Sequence, residues 1–280
     1  MKYCDLHTHS TYSDGTCTPR ELIALAGELG LSAIALTDHN TVAGLPEFLA
    51  AAEGTPVQAV PGIEFSADYD GGEVHILGLF VQPEHYEAID RLLEQAKQRK
   101  EESNIALVEA LGRAGYVIDY AKIKASTPGG QVNRALIAAE LTAQGYTQSI
   151  QAAFKTLLAP KHGYFVPPKR LDSMETIRFI RSIGAVAVLA HPWLNLTPQN
   201  LPEFLEKAKE AGLQGMETMY PLFDEEQTCL AQALAREYGL LCSGGSDFHG
   251  ENKPHIRLGT GKGSLQVPET VLQALLEAAM

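Results

Sequence analysis

Short apolar runs return along this chain, separated by helical patterns, and most of them close on a histidine, aspartate or glutamate. The runs at residues 2–6, 33–36, 57–60, 74–80, 186–190 and 240–243 have the length and apolar content of strands, several of them buried. Residues 19–29 place Leu22, Ile23, Leu25, Ala26 and Leu29 at helical spacing, with Thr18 as N-cap, Pro19 in the first position and Gly30 as the stop. The alternation returns later: Ser173 is expected to cap a helix through Ser182, Gly184 ends it, and residues 185–190 enter a strand. Helices at 202–211 and 225–238 are each followed by glycine and a short apolar run. Repeated β-α units predict an α/β fold with a mostly parallel sheet, open or closed into a barrel. The pattern itself does not choose between the two.

Residues 92–168 read differently. A long charged helix spans 88–114, and further helical stretches lie at 131–144 and 147–158. The expected organisation is therefore a barrel-forming part at 1–91, a helical insertion at 92–168 acting as a substrate cap, and a second barrel-forming part at 169–280. Gly129-Gly130 marks a break within the insertion and Pro167-Pro168 its return.

Composition narrows the function classes. With 45% hydrophobic and 20% charged residues, the chain is an ordinary globular one and not a disordered or coiled-coil one. A net charge of −12 disfavours nonspecific binding to long nucleic acid, which needs a basic footprint. A small phosphorylated substrate remains compatible, because bound divalent cations dominate the field close to them. Without a signal-like N-terminus or a membrane-length apolar segment, a cytoplasmic enzyme with no membrane partner is expected. Cys4, Cys17, Cys229 and Cys242 are scattered and suggest neither a disulfide framework nor a thiolate site.

His7 and His9 lie two apart on a predicted strand, so both rings face one side and can bind one ion. Taken alone, they could equally be structural histidines. Four more segments attach His, Asp or Glu to a strand end: Thr37-Asp38-His39-Asn40, Gly62-Ile63-Glu64, Ala190-His191-Pro192 and Gly245-Ser246-Asp247-Phe248-His249. Carboxyl ends of parallel strands converge at one rim, where α/β active sites form. His75 inside a strand and Asp14 in Ser13-Asp14-Gly15 have bland readings as a core histidine and a turn residue, and gain weight from these neighbours. His85, His162 and His255 fall outside the constellation, although Lys161-His162-Gly163-Tyr164 has the look of a substrate loop.

The ordered set His7-x-His9, Asp14, His39, Glu64, His75, His191 and Asp247-x-His249 resembles the PHP (polymerase and histidinol phosphatase) family. The resemblance implies a distorted (β/α)7 TIM-like barrel with an inserted helical subdomain, holding a trinuclear metal site. Carried over by position, His7, His9, Glu64 and Asp247 would hold one ion, and Glu64, His75 and His191 a second, with Glu64 bridging. Asp14, His39 and His249 would hold the third. Asp5 and Asp38 are expected to steady the donors by hydrogen bonds. Three divalent ions bring about six positive charges against three carboxylates, leaving a pocket that suits phosphate. The resemblance favours manganese, while the donor types also accept iron or zinc. The implied attacking group is a metal-bridging hydroxide, with no side-chain nucleophile.

Within that family, Asn133-Arg134, Phe154-x-x-x-Leu158 and Lys161-His162-Gly163-Tyr164 look most like the branch containing 3′,5′-nucleoside bisphosphate phosphatases. Arg134 aligns with a phosphate-binding arginine there, a role that suits a planar guanidinium. Lys161, Tyr164 and Trp193 join it as candidate substrate contacts. The chain departs from the branch in having His191-Pro192-Trp193-Leu194 where an arginine often follows the His-Pro, and Leu136 where a pocket histidine is expected. The expected activity is hydrolysis of a phosphomonoester of a small nucleotide or of a short 5′-phosphorylated oligonucleotide. Histidinol-phosphate hydrolysis is the enzymatic alternative, and a metal-binding structural or regulatory domain the non-enzymatic one.

Overall fold

The structure, a computed structural model, describes residues 2–126 and 132–279. The expected Gly129-Gly130 break lies outside the described residues. The strands are β1 (Tyr3–Asp5), β2 (Ala33–Leu36), β3 (Gln58–Tyr69), β4 (Gly72–Leu79), β5 (Leu171–Asp172), β6 (Val186–Leu189), β7 (Gly215–Met219), β8 (Leu241–Gly244) and β9 (Val267–Pro268). Neighbours run β8-β7-β6-β4-β3-β2-β1-β9, with β5 beside β3.

The chain leaving β1 closes this sheet. Leu6 N–H donates to Gly244 O (3.2 Å), Asp247 N–H to His7 O (2.9 Å) and His9 N–H to Phe248 O (2.9 Å). Seven strands, β1 to β4 and β6 to β8, thus form a nearly closed α/β barrel. It is distorted because β4 runs antiparallel to both β3 and β6. Asp70 and Gly71, both at positive φ, make the tight turn that reverses the chain between β3 and β4. β3 is longer than the expected 57–60 run. Past Pro61-Gly62 its ladder with β4 continues from Gly62–Leu79 to Tyr69–Gly72, which carries Glu64 and His75 on paired strands.

The helices are α1 (Pro19–Glu28), α2 (Leu45–Ala52), α3 (Tyr86–Arg113), α4 (Tyr120–Ser126), α5 (Arg134–Ala143), α6 (Ile150–Thr156), α7 (Ser173–Ser182), α8 (Pro192–Asn195), α9 (Leu201–Ala211), α10 (Glu225–Glu237) and α11 (Glu269–Ala279). At α1 the Thr18 hydroxyl accepts from Glu21 N–H (3.2 Å) and the Glu21 carboxylate from Thr18 N–H (2.7 Å), a reciprocal cap. At α7 the cap is Asp172 and not Ser173. The Asp172 carboxylate accepts from Glu175 N–H (2.9 Å), and Ser173 is the buried first helical residue.

Two compact units result, Met1–Arg91 with Leu171–Met280, and Leu92–Arg170. The first buries Leu6, Val60, Leu77, Leu79, Val186 and Leu275 inside and around its sheet. The second has its own core, including Leu107, Leu111, Ile137, Leu141 and Phe165. The four cysteines are free. Among the described residues no helix is long and apolar enough to cross a membrane.

Candidate metal centre

The strand ends bring all nine predicted donors into one cluster, with Glu64 at its middle. The Glu64 side chain is fully buried. Its Oε2 lies 3.3 Å from His7 Nε2, 3.3 Å from His9 Nε2 and 3.0 Å from His39 Nδ1. Its Oε1 lies 2.7 Å from His75 Nδ1 and 3.0 Å from His191 Nε2. On the β8 side, Asp247 Oδ1 stands 3.2 Å from His9 Nε2 and 3.6 Å from His7 Nε2. Asp14 is the most exposed member, with Oδ1 3.2 Å from His249 Nε2 and Oδ2 3.9 Å from His39 Nε2.

Two buried carboxylates aim these groups. Asp5 accepts from Ser246 N–H (2.8 Å), the Ser246 hydroxyl, Gly259 N–H (2.8 Å) and His7 N–H (3.3 Å), tying the exits of β1 and β8 together. Asp38 accepts from Ser10 N–H (2.7 Å), the Ser10 hydroxyl (2.6 Å) and the Ser13 hydroxyl (2.6 Å), which folds the loop that presents Asp14. Gly245 has to be glycine, since a Cβ there would collide with the His7 backbone. His191 (φ 25°) and Asp247 (φ 53°) both take the left-handed region uncommon for such residues. Backbone strain of this kind persists where the surroundings over-determine a functional geometry.

Sequence reasoning missed Glu217. This fully buried residue of β7 accepts from His191 N–H through Oε2 (2.7 Å), and its Oε1 lies 3.0 Å from His7 Nδ1. It therefore holds the Nδ1–H tautomer of His7, leaving Nε2 to face Glu64 and Asp247. A glutamate inside the run Gly215-Met216-Glu217-Thr218-Met219 was the available signal. Glu217→Gln is expected to weaken metal affinity by about 10–100-fold with little change in fold, read by isothermal titration of the metal-free protein. Unchanged affinity would remove Glu217 from this role. Tyr220 and Lys253 were missed as well: the Tyr220 hydroxyl and Lys253 Nζ both donate to Asp247 Oδ2 (2.7 Å each), which leaves Oδ1 for the cluster.

The arrangement fits bound cations. Glu64 Oε2, His9 Nδ1 and His39 Nδ1 are buried without a hydrogen-bond partner, the short His39–Glu64 approach being out of hydrogen-bond alignment. Three overlapping donor groups have ligand atoms within 4.8 Å of one another: His9, Asp14, His39 and His249; His7, His9 and Glu64; His39, Glu64 and His75. Burial opposes charge on His7, yet Glu217, Glu64 and Asp247 draw its pKa well above the ordinary value. Burial likewise opposes charge on His75, and Glu64 and Glu73 raise it to about 9. Burial would raise Glu64, but His7, His39 and His75 hold it well below the usual carboxylate range. Three carboxylates thus demand positive charge at this spot, and mixed imidazole and carboxylate donors suit divalent metals.

Of the expected substrate contacts, Trp193 lies in α8 directly after His191, half-buried, with its indole N–H donating to Gln227 O (3.1 Å). Arg134 opens α5 in the helical unit, its guanidinium 4.2 Å from the Phe165 ring centre and 5.6 Å from that of Phe154. Lys161 is exposed, and Tyr164 packs on the core of that unit.

Residues 5–165 match the family model of the PHP domain. A 5′-3′ exoribonuclease of Haemophilus influenzae is 33% identical over 249 residues, covering 89% of this chain and 90% of the relative. A phosphoribosyl 1,2-cyclic phosphate 1,2-diphosphodiesterase of Eggerthella lenta is 33% identical over 264 residues, covering 90% and 97%. A 3′,5′-nucleoside bisphosphate phosphatase of Chromobacterium violaceum is 32% identical over 260 residues, covering 89% and 88%. Among solved structures, a Bifidobacterium adolescentis protein assigned as a metal-dependent phosphoesterase superposes with a TM-score of 0.74 at 27% identity, covering 100% and 97%. The chain belongs to the PHP family. It is a metal-dependent phosphoesterase, a hydrolase of phosphate esters.

Proposed function

We propose that this chain hydrolyses a phosphomonoester of a small nucleotide, either a 3′,5′-nucleoside bisphosphate or a short 5′-phosphorylated oligonucleotide, at a trinuclear centre. The observation that carries the chemistry is one buried carboxylate, Glu64, within 3.3 Å of five imidazoles. In this reading His7, His9, Glu64 and Asp247 hold one ion, Glu64, His75 and His191 a second, and Asp14, His39 and His249 the third. Glu64, His9 and His39 each belong to two of the overlapping donor groups, and of the three only the Glu64 carboxylate has two oxygens to offer to neighbouring ions. Manganese is the favoured metal, and iron or zinc suits the same donors. When bound, such ions polarise the phosphoryl group and make hydroxide available at neutral pH.

Five hydroxyls near the donors in sequence or in space are engaged elsewhere. Ser10 and Ser13 donate to Asp38, Ser246 to Asp5, Thr8 to Ala35 O and Tyr220 to Asp247. Each of these five is tied into a hydrogen bond that orders the site's own framework, which supports hydrolysis without a side-chain nucleophile. The nucleotide substrate rests on the nucleotide-directed relatives and on Arg134, whose guanidinium suits a phosphate.

Turnover of 3′,5′-nucleoside bisphosphate, 5′-phosphorylated trinucleotide, histidinol phosphate and a ribose 1,2-cyclic phosphate by the metal-loaded protein tests this. The nucleotide monoesters are expected to exceed the others in kcat/KM by at least about tenfold, the scale of one lost charge-assisted hydrogen bond. A profile led by histidinol phosphate or by the cyclic diester would overturn the substrate assignment.

A further inference from the structure

A positive side chain stands at the edge of the metal centre. Lys253 Nζ donates to Asp247 Oδ2 (2.7 Å), while Oδ1 of the same carboxylate faces His9 Nε2 (3.2 Å) and His7 Nε2 (3.6 Å). Among the described residues of the unit that forms the barrel, it is the one Lys or Arg in contact with a donor of the cluster. The turn that carries it is tied to the loop that presents Asp14. Asn252, the residue before it, donates through Nδ2 to Asp14 O (2.7 Å), and Glu251 N–H donates to the Thr16 hydroxyl (2.9 Å). Lys253 N–H donates to Gly250 O (3.2 Å) and Lys253 O accepts from Ile256 N–H (2.9 Å), so the backbone is held on both sides of the residue.

Holding Asp247 in place does not account for a lysine here. The Tyr220 hydroxyl already donates to Oδ2 at the same distance, 2.7 Å, and a neutral donor orients a carboxylate without adding charge. An ammonium group lies one carboxylate away from the donors that suit divalent cations, and its like charge opposes them. Its position is also the accessible one. The side chains of His7, His9 and Glu64 have no exposure, whereas Lys253 is 37% exposed, beside Asp14 at 55% and His39 at 26%. A cation at the open side of a cation site gains only when an anion arrives there.

An ammonium group has three N–H donors, and Asp247 takes one. Among the described residues Lys253 has no second side-chain partner. We infer that Lys253 is a substrate contact, its remaining N–H groups holding oxygens of the phosphoryl group that is cleaved. Such a contact is charge-assisted, and it favours the lysine only while substrate or product phosphate is bound. The inference rests on the reading of this cluster as the hydrolytic metal centre and holds for any phosphate ester cleaved there.

The test uses the full chain and the K253M variant, which keeps most of the side-chain length and removes the charge. Metal-free proteins are titrated with manganese, and manganese-saturated proteins with inorganic phosphate, by calorimetry; hydrolysis of 3′,5′-nucleoside bisphosphate is measured on the same samples. K253M is expected to bind manganese as tightly as the wild type or more tightly, because a like charge is gone. Its phosphate affinity at saturating manganese should fall about tenfold, the scale of one lost charge-assisted hydrogen bond, and kcat/KM should fall by at least that factor. Loss of manganese binding in K253M overturns the inference and makes Lys253 a support for Asp247. Phosphate binding equal to that of the wild type overturns it as well and makes Lys253 a solvated charge. Phosphate binding that depends on Lys253 in a protein that cleaves no nucleotide would keep the contact and sink the nucleotide assignment. Nucleotide hydrolysis with phosphate binding independent of Lys253 would do the reverse.

Discussion

Glu64→Ala is expected to remove phosphoester hydrolysis, lowering kcat/KM by at least about 100-fold, beyond the range for a residue that only supports a metal ligand. The carboxylate is the one anion common to His7, His9, His39, His75 and His191. Without it, the five rings lose the carboxylate they share, and the upward pull that Glu64 exerts on the pKa of His39 and His75 is lost. Glu64→Gln keeps the volume and removes the charge, so equal loss in both variants assigns the effect to the carboxylate. Steady-state turnover with metal content measured on the same samples makes the comparison. Retention of activity within tenfold would show that the cluster is not the reaction centre.

Asp5→Ala is expected to cost about 2–4 kcal/mol of stability, because four donors from three separate segments lose their shared acceptor inside the barrel. For a chain of this size that lowers the thermal midpoint by roughly 5–15 °C. Burial raises the Asp5 pKa despite these hydrogen bonds, so the group is costly to keep ionised and serves the geometry it imposes on His7 and Ser246. Thermal unfolding of the metal-free protein isolates this effect from metal binding. A shift below about 2 °C would mean the β1 and β8 exits hold together without Asp5.

Most of the donors were legible in the sequence because they follow an apolar run, and strand exits share a rim whatever the connecting helices do. His7, His39, His191 and Asp247 follow that rule directly. Glu64, read in the sequence as attached to a strand end, lies inside β3, and the ladder that sets it beside His75 owes its antiparallel direction to the Asp70-Gly71 turn and to pairing with β6, which no local pattern displays. Glu217 escaped notice because it lies inside its strand, where a charged residue reads as a defect until its two partners arrive from elsewhere in the chain. Barrel closure was illegible for the same reason: hydrogen bonds between Leu6 and Gly244, and between His9 and Phe248, join segments more than 200 residues apart. The shift of the α7 cap from Ser173 to Asp172 is a local matter, decided by which side chain reaches back to the third helical N–H. The net charge of the whole chain did not display that residues 92–170 carry +5 and the rest −17.

The central claim is a multinuclear centre that performs the hydrolysis, and metal content against turnover tests it most directly. Protein purified without added metal, stripped with chelator and reloaded stepwise with manganese, is assayed for bound metal and for nucleoside bisphosphate hydrolysis at each step. Turnover is expected to be negligible after stripping, to recover on reloading, and to reach its full value only as occupancy approaches about three ions per chain. Full activity with fewer than about two bound ions, or turnover that survives stripping, would contradict it.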